Sequence, residues 1–87
     1  MSQRFSVFAV YDVKAGSYHP PFYQINKGLA MRSFSDLVAN PQSTLYRHPQ
    51  DFALYELGTF DDVTGKFDVL DTPLHISNAT EWVQKPE

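Results

Sequence analysis

One stretch limits the folds open to this chain more than any other. Residues Phe52 to Phe60, Phe-Ala-Leu-Tyr-Glu-Leu-Gly-Thr-Phe, are largely apolar with no helical spacing; Asp61-Asp-Val-Thr-Gly-Lys66 is a run of turn formers, and Phe67-Asp-Val-Leu70 resumes the apolar pattern. This order predicts a long strand, a tight turn and a returning strand. Gly65 suits the left-handed position that closes a short hairpin loop, with Asp62, Val63 and Thr64 starting it as a type I turn. Strict alternation places Phe52, Leu54 and Phe60 on one side and Ala53, Tyr55, Leu57 and Thr59 on the other. Both sides are substantially apolar, so both faces of the sheet need cover.

The preceding chain supplies partners for the hairpin. Arg4 to Val13 reads as a strand with Phe5, Val7, Ala9, Tyr11 and Val13 on one face and Phe8 and Val10 on the other. Lys14 to Ser17 is a turn. Tyr18 to Ile25 is held extended, because His19 precedes a proline and Pro20-Pro21 fixes two successive φ angles. Phe22 to Ile25 is expected as a short edge strand, where missing amide donors are tolerated. Asn26 can cap a helix starting at Lys27, with Ala30, Met31, Phe34, Leu37 and Val38 forming one apolar stripe. Asn40-Pro41 stops it. Pro41 to Gln50 reads as a polar connection. After the hairpin, Asp71-Thr-Pro73 is expected as a turn and Leu74 to Ile76 as a short edge strand. Residues 78–87 read as a flexible or partner-binding tail, in which Trp82 is either tucked onto the core or free.

The expectation is one domain over residues 1–87 with the order β-β-α-β-β. Its class is α+β, a small antiparallel sheet of four or five strands with one helix across one face. A helix of about 13 residues, rising ~1.5 Å per residue, covers only one face. Self-association is the expected cover for the other, with a dimer as the default.

At 87 residues the chain buries only roughly 60–65% of the surface its unfolded form exposes, so its core must be efficient or shared. With 43% hydrophobic and 20% charged residues it is globular in composition, and seven Phe, five Tyr and one Trp are a heavy aromatic load. The absence of cysteine excludes disulfides and thiolate chemistry and fits a reducing cytoplasm. No apolar run reaches the ~18 residues of a membrane helix, and the first residues lack a signal-peptide core, so no membrane partner is expected.

Catalytic patterns fail one after another. His19, His48 and His75 lie in three segments without ligand spacing, so no metal site and no cofactor is expected. Asp61 and Asp62 are adjacent turn residues rather than a proton-sharing pair. Thr64-Gly65-Lys66 resembles the end of a phosphate loop but lacks its upstream glycine and its helix. The same turn fails the calcium-loop pattern, and no serine sits in an elbow motif. The chain is expected not to be an enzyme.

A net charge of −3 counts against generic coating of nucleic acid, yet the charge is uneven. Arg4, Lys14, Lys27, Arg32 and Arg47 fall in the first half, whereas only Lys66 and Lys85 follow Asp51, among many carboxylates. The basic half also carries Tyr18, Tyr23 and Tyr46. Single-strand binders combine stacking rings with a cationic groove. Composition alone favours the plainer assignment, rings of a core and an interface, since interfaces also enrich Tyr, Phe and Arg.

The wording of several segments adds to this. Phe8-Ala-Val-Tyr-Asp-Val-Lys-Ala-Gly16, Pro21-Phe-Tyr23, Gly28-Leu-Ala-Met-Arg-Ser-Phe34, His48-Pro-Gln-Asp-Phe-Ala-Leu-Tyr-Glu-Leu-Gly-Thr-Phe60 and Thr64-Gly-Lys-Phe67 occur in this order across residues 5 to 75. Together they resemble the small nonstructural protein of gokushoviruses, the single-stranded DNA microviruses of bacteria. The resemblance implies a protein made in the cytoplasm of the infected bacterium and absent from the virion. It also implies a role in genome replication, through DNA binding and the change from duplex replication to single-strand synthesis and packaging. It assigns no residues. On this basis the expected function is non-catalytic, oligomeric binding of single-stranded DNA. Arg4, Lys14, Lys27, Arg32 and Arg47 would neutralise phosphate, and Tyr18, Tyr23 and Tyr46 would stack on bases. The rival is an adaptor that binds the phage replication initiation protein or a host factor without touching DNA; the acidic second half and Trp82 favour it.

Overall fold

In the computed structural model, which describes residues 4–83, two long strands form the axis of the molecule. Strand β1 (Arg4–Asp12) is followed by β2 (Ser17–Tyr18), β3 (Phe22–Gln24), helix α1 (Lys27–Ala39), a single helical turn α2 (Thr44–Arg47), β4 (Phe52–Asp61) and β5 (Phe67–Asn78). Strands β1 and β4 pair antiparallel from Arg4 opposite Asp61 to Asp12 opposite Phe52. Strand β5 flanks β4, while β2 and β3 share the far edge of β1. This is the expected α+β sheet of five strands crossed on one face by a helix.

Local chemistry explains the elements. Asn26 accepts a hydrogen bond from the Leu29 amide at 2.9 Å and so caps α1. In the hairpin, Asp61 Oδ1 accepts from the amides of Val63 and Thr64, and Gly65 adopts φ 72°, the left-handed geometry expected of it. The helix-side core is Phe8 and Val10 of β1, Phe52 and Leu54 of β4, and Ala30, Phe34 and Val38 of α1, closed by Leu45 and Ala79. Phe34 and Leu54 are fully buried. Each stabilises the fold by about 1.5–3 kcal/mol through the apolar surface removed from water.

The structure departs from the sequence expectations in three places. First, Val7 pairs with Gly58 and Phe8 with Glu56, which leaves Leu57 as an extra residue in β4. A one-residue bulge reverses every side chain beyond it. Phe60 therefore lies on the Tyr55 side, and Thr59 turns to the helix side, against the strict alternation expected. Across the bulge, β5 pairs Val69 with Gly58 and Leu74 with Glu56, so Leu70 to Pro73 bow out opposite a single residue. The turn expected at Asp71-Thr72-Pro73 is this outward bow, and β5 runs on through it for twelve residues. Gly58 permits the close approach: a Cβ there would stand 2.3 Å from the carbonyl oxygen of Asp68.

Second, the connection after α1 is not featureless. Ser43 caps α2 through a 2.9 Å bond from the Leu45 amide, and Leu45 drops into the core. One apolar residue in a polar segment is too weak a periodic signal to show this. Third, Ala79–Trp82 is a docked 3₁₀ turn with a capping box between Asn78 and Glu81, not a flexible tail. Trp82 packs against the core, and its Nε1 donates to the buried Ser77 hydroxyl at 2.8 Å. Residues 84–87 of the expected tail lie outside the described residues.

Candidate functional site

The sheet face opposite the helix is the candidate site. By register it presents Phe5, Val7, Ala9 and Tyr11 of β1, Ala53, Tyr55, Gly58 and Phe60 of β4, Tyr18 and Tyr23 of the short strands, and Phe67, Val69 and His75 of β5. Small residues lie in the middle and rings around them. Ala9 is wholly covered and Val7 only 5% exposed, although no helix passes over them. Their cover is a layer of rings lying against one another. The bare sheet expected to need a second subunit is thus closed by the chain's own side chains. What remains for a partner is the outer surface of the rings.

The rings fall into two groups. Tyr11 meets Tyr18 at 4.7 Å between centroids, Tyr18 meets Tyr55 at 5.7 Å, and Tyr55 meets His75 at 5.4 Å, all edge-on. The second group is Tyr23, Phe60 and Phe67, with Phe60 and Phe67 4.9 Å apart and Tyr23 5.9 Å from Phe60. Such pairs contribute ~0.5–1.5 kcal/mol each beyond area burial. Tyr18, Tyr23 and Phe67 are 41, 44 and 54% exposed, and His75 is exposed as well. His75 is oriented by a 2.8 Å hydrogen bond between its Nε2 and Asn78 Oδ1. Desolvation, followed by the neighbouring Tyr55 and Tyr11 hydroxyls, pushes the Tyr18 phenol above its ordinary value.

Charge is sorted between the two faces. The ring face carries no carboxylate at any of its paired positions, since Asp12, Glu56, Asp61 and Asp68 all fall on the helix-side register. Cations stand at its ends. Lys14 sits in the turn leading to Tyr18, where it also lines a cleft with Asp12, His48 and Asp51. At the other end Lys66 lines a hollow with Phe67, Asp61 and Asp68, which Arg4, paired with Asp61, joins from the helix-side register.

The predicted residues are therefore divided. Tyr18 and Tyr23 lie on the ring face, Lys14 stands in the turn before Tyr18, and Arg4 falls on the helix-side register opposite Asp61. Lys27 and Arg32 are exposed on α1, and Tyr46 and Arg47 are exposed on α2, in the layer across the sheet. Tyr46 borders a small apolar hollow with Val38, Ala39 and Val83. Sequence reasoning passed over Phe60, Phe67 and Lys66 as site residues. The closed turn Asp61–Lys66 was a usable signal, because such a hairpin sets Phe60 opposite Phe67, the pairing observed. Among the described residues no group of three potential ligands could hold a metal, and no helix is long and apolar enough to cross a membrane.

Fold and site together define a small two-layer α+β protein, one sheet face closed by a helix and the other by an exposed aromatic layer. The chain belongs to the phage ORF5 protein family, whose sequence model matches residues 5–82. It is 36% identical over 80 residues to protein ORF5 of Chlamydia phage 1, a match covering 86% of this chain and 83% of that protein. This bears out the resemblance to the gokushoviruses of the Microviridae. No solved structure matches the chain.

Proposed function

We propose that this phage protein binds single-stranded DNA across the ring face and acts without catalysis in genome replication, or in the switch to single-strand synthesis and packaging. The observation that carries the reading is the exposed aromatic layer on a sheet face cleared of carboxylates. Bases have apolar π faces that stack on Tyr18, Tyr23 and Phe67, each stack contributing about 1–3 kcal/mol without regard to sequence. Lys14 in the turn before β2 and Lys66 in the turn before β5 stand near the two ends of the face, where they would meet phosphates. Single-stranded DNA is abundant in the cytoplasm of an infected host, which is where this reading places the protein, outside the virion.

The test is a titration with an unstructured oligothymidylate, followed by tyrosine fluorescence and repeated at two salt concentrations. Salt-sensitive binding at micromolar protein is the expected result. Binding that is absent, or blind to salt, sinks the reading, since phosphate contacts must release counterions.

One observation favours a second reading. No Lys or Arg occupies a paired position within the ring face, and charge depletion around aromatic residues is the mark of a protein interface core. On this reading the rings receive a protein: the phage replication initiation protein, a host factor or a second copy in a dimer. A pull-down from nuclease-treated infected cells separates it from DNA binding, because direct partners survive nuclease and DNA-bridged ones do not. Mass in solution, with and without oligonucleotide, reads self-association.

A further inference from the structure

The two groups of rings stand apart along one line of the face. Tyr18 pairs with Tyr11 and Tyr23 with Val7, four residues apart on β1. At a strand rise of ~3.3 Å per residue this sets the two tyrosines roughly 13 Å apart. Among the described residues, ring contacts run within the Tyr11–Tyr18–Tyr55–His75 group and within the Tyr23–Phe60–Phe67 group. Between them the floor is low, made by Ala9 and by Gly58, which has no side chain. Along the same edge Pro20-Pro21 interrupts the pairing to β1, so β2 and β3 remain separate strands. A cation stands in the turn next to each group, Lys14 before Tyr18 and Lys66 before Phe67.

From this spacing we infer that the ring face holds two base-stacking subsites, one at Tyr18 and one at Tyr23 and Phe67, bridged by a single strand of nucleic acid. The inference rests on the reading of the face as a single-strand site and adds how the strand lies on it. The strand runs along β1, its stacked bases at the two ends and its intervening nucleotides over the low floor. Linkage through one chain turns the second stack into an intramolecular event, so affinity rises steeply once an oligonucleotide is long enough to reach both rings.

The experiment compares thymidine dinucleotide with an oligothymidylate of about eight nucleotides, a length within the footprint of small single-strand binders. Chemical-shift titrations of the full chain are run on wild type, Tyr18→Ala, Tyr23→Ala and the double variant. With the longer strand each single variant loses roughly 5- to 150-fold in affinity, the worth of one stack, which brings it toward the level of the dinucleotide on wild type, and the double variant falls below that level. With the dinucleotide, either single variant changes affinity by no more than about twofold, since the other subsite remains. Tyr18→Leu and Tyr23→Leu repeat the test with the apolar cover kept, should an alanine variant fail to fold.

If one tyrosine carries the whole loss with the long strand, or if neither matters, the two-subsite arrangement is overturned while DNA binding stands. A long strand that binds no tighter than the dinucleotide overturns it as well. If wild type binds neither ligand, both this inference and the functional reading fail.

Discussion

The two faces of the sheet are made from alternate residues of the same strands, yet they are covered in different ways. On one face Phe8, Val10, Phe52 and Leu54 lie under α1 and the 3₁₀ turn at Ala79–Trp82, and the covering elements bring their own apolar side chains. On the other, Ala9, Val7 and Ala53 lie under rings that belong to the sheet itself. A helix hides what it covers and turns a polar side to water. A layer of rings hides the small residues beneath but leaves its own outer faces apolar. The first solution makes a core; the second makes a core and an exposed apolar surface with the same atoms.

The sharpest test of that contrast is stability. Phe34→Ala is expected to cost about 3–5 kcal/mol and Leu54→Ala about 2–5 kcal/mol, because both leave cavities in the helix-side core. Tyr23→Ala, on a ring 44% exposed, is expected to cost within about 1.5 kcal/mol, the scale of its ring contacts. Urea unfolding of the three variants decides it; equal losses would mean that the faces are energetically alike.

The ring face also depends on the bulge. Gly58→Ala forces a methyl group against the Asp68 carbonyl. It should cost about 1–3 kcal/mol, the usual range for overpacking. Amide and ring shifts of Phe60 and Phe67 should change in the variant's NMR spectrum. Unchanged shifts and unchanged stability would show that the approach of β5 to β4 is looser than drawn.

Electrostatics distinguishes the face from a basic groove. If single-stranded DNA binds the face with Lys14 and Lys66 as its phosphate contacts, log K should fall with log salt at a slope of about −1.4, from ~0.7 per contact on a single strand. Binding measured at several salt concentrations gives the slope directly. A much steeper value would bring Lys27, Arg32 and Arg47 of the opposite layer into the site.

The smallest expected effect is that of alkali. Because the folded state raises the Tyr18 pKa above the ordinary 10.0, it favours the neutral phenol. That contribution is complete below the unfolded value and is lost as pH rises through the folded one. Stability and DNA affinity should both decline in that alkaline window, the latter because phenolate repels phosphate. Tyr18→Phe should lessen both declines, read by denaturation and by titration across that window.

Much of the fold was legible in the chain. Period-two alternation in β1, the Asn26 cap with its apolar stripe, and the Asp61–Lys66 turn are local signals that packing leaves intact, and each element stands where those signals put it. The site was legible only in part. Tyr18 and Tyr23 stand out by their rings, but closeness of cations and tyrosines in sequence does not fix their closeness in space. A helix crossing the sheet carried Lys27 and Arg32 to the opposite layer, and Tyr46 and Arg47 followed on α2.

The sequence by itself determined the class of the fold, because turn chemistry, capping and hydrophobic period are properties of a few neighbouring residues. Which rings share a face was decided by tertiary structure. A single extra residue at Leu57, accommodated by Gly58 against the backbone of β5, moves Phe60 across the sheet to join Tyr23 and Phe67. Gly58 inside an apolar strand is a local hint of a bulge, but which residue is extra is decided only where two strands fail to match residue for residue. Without it the face would lose one of its two groups of rings.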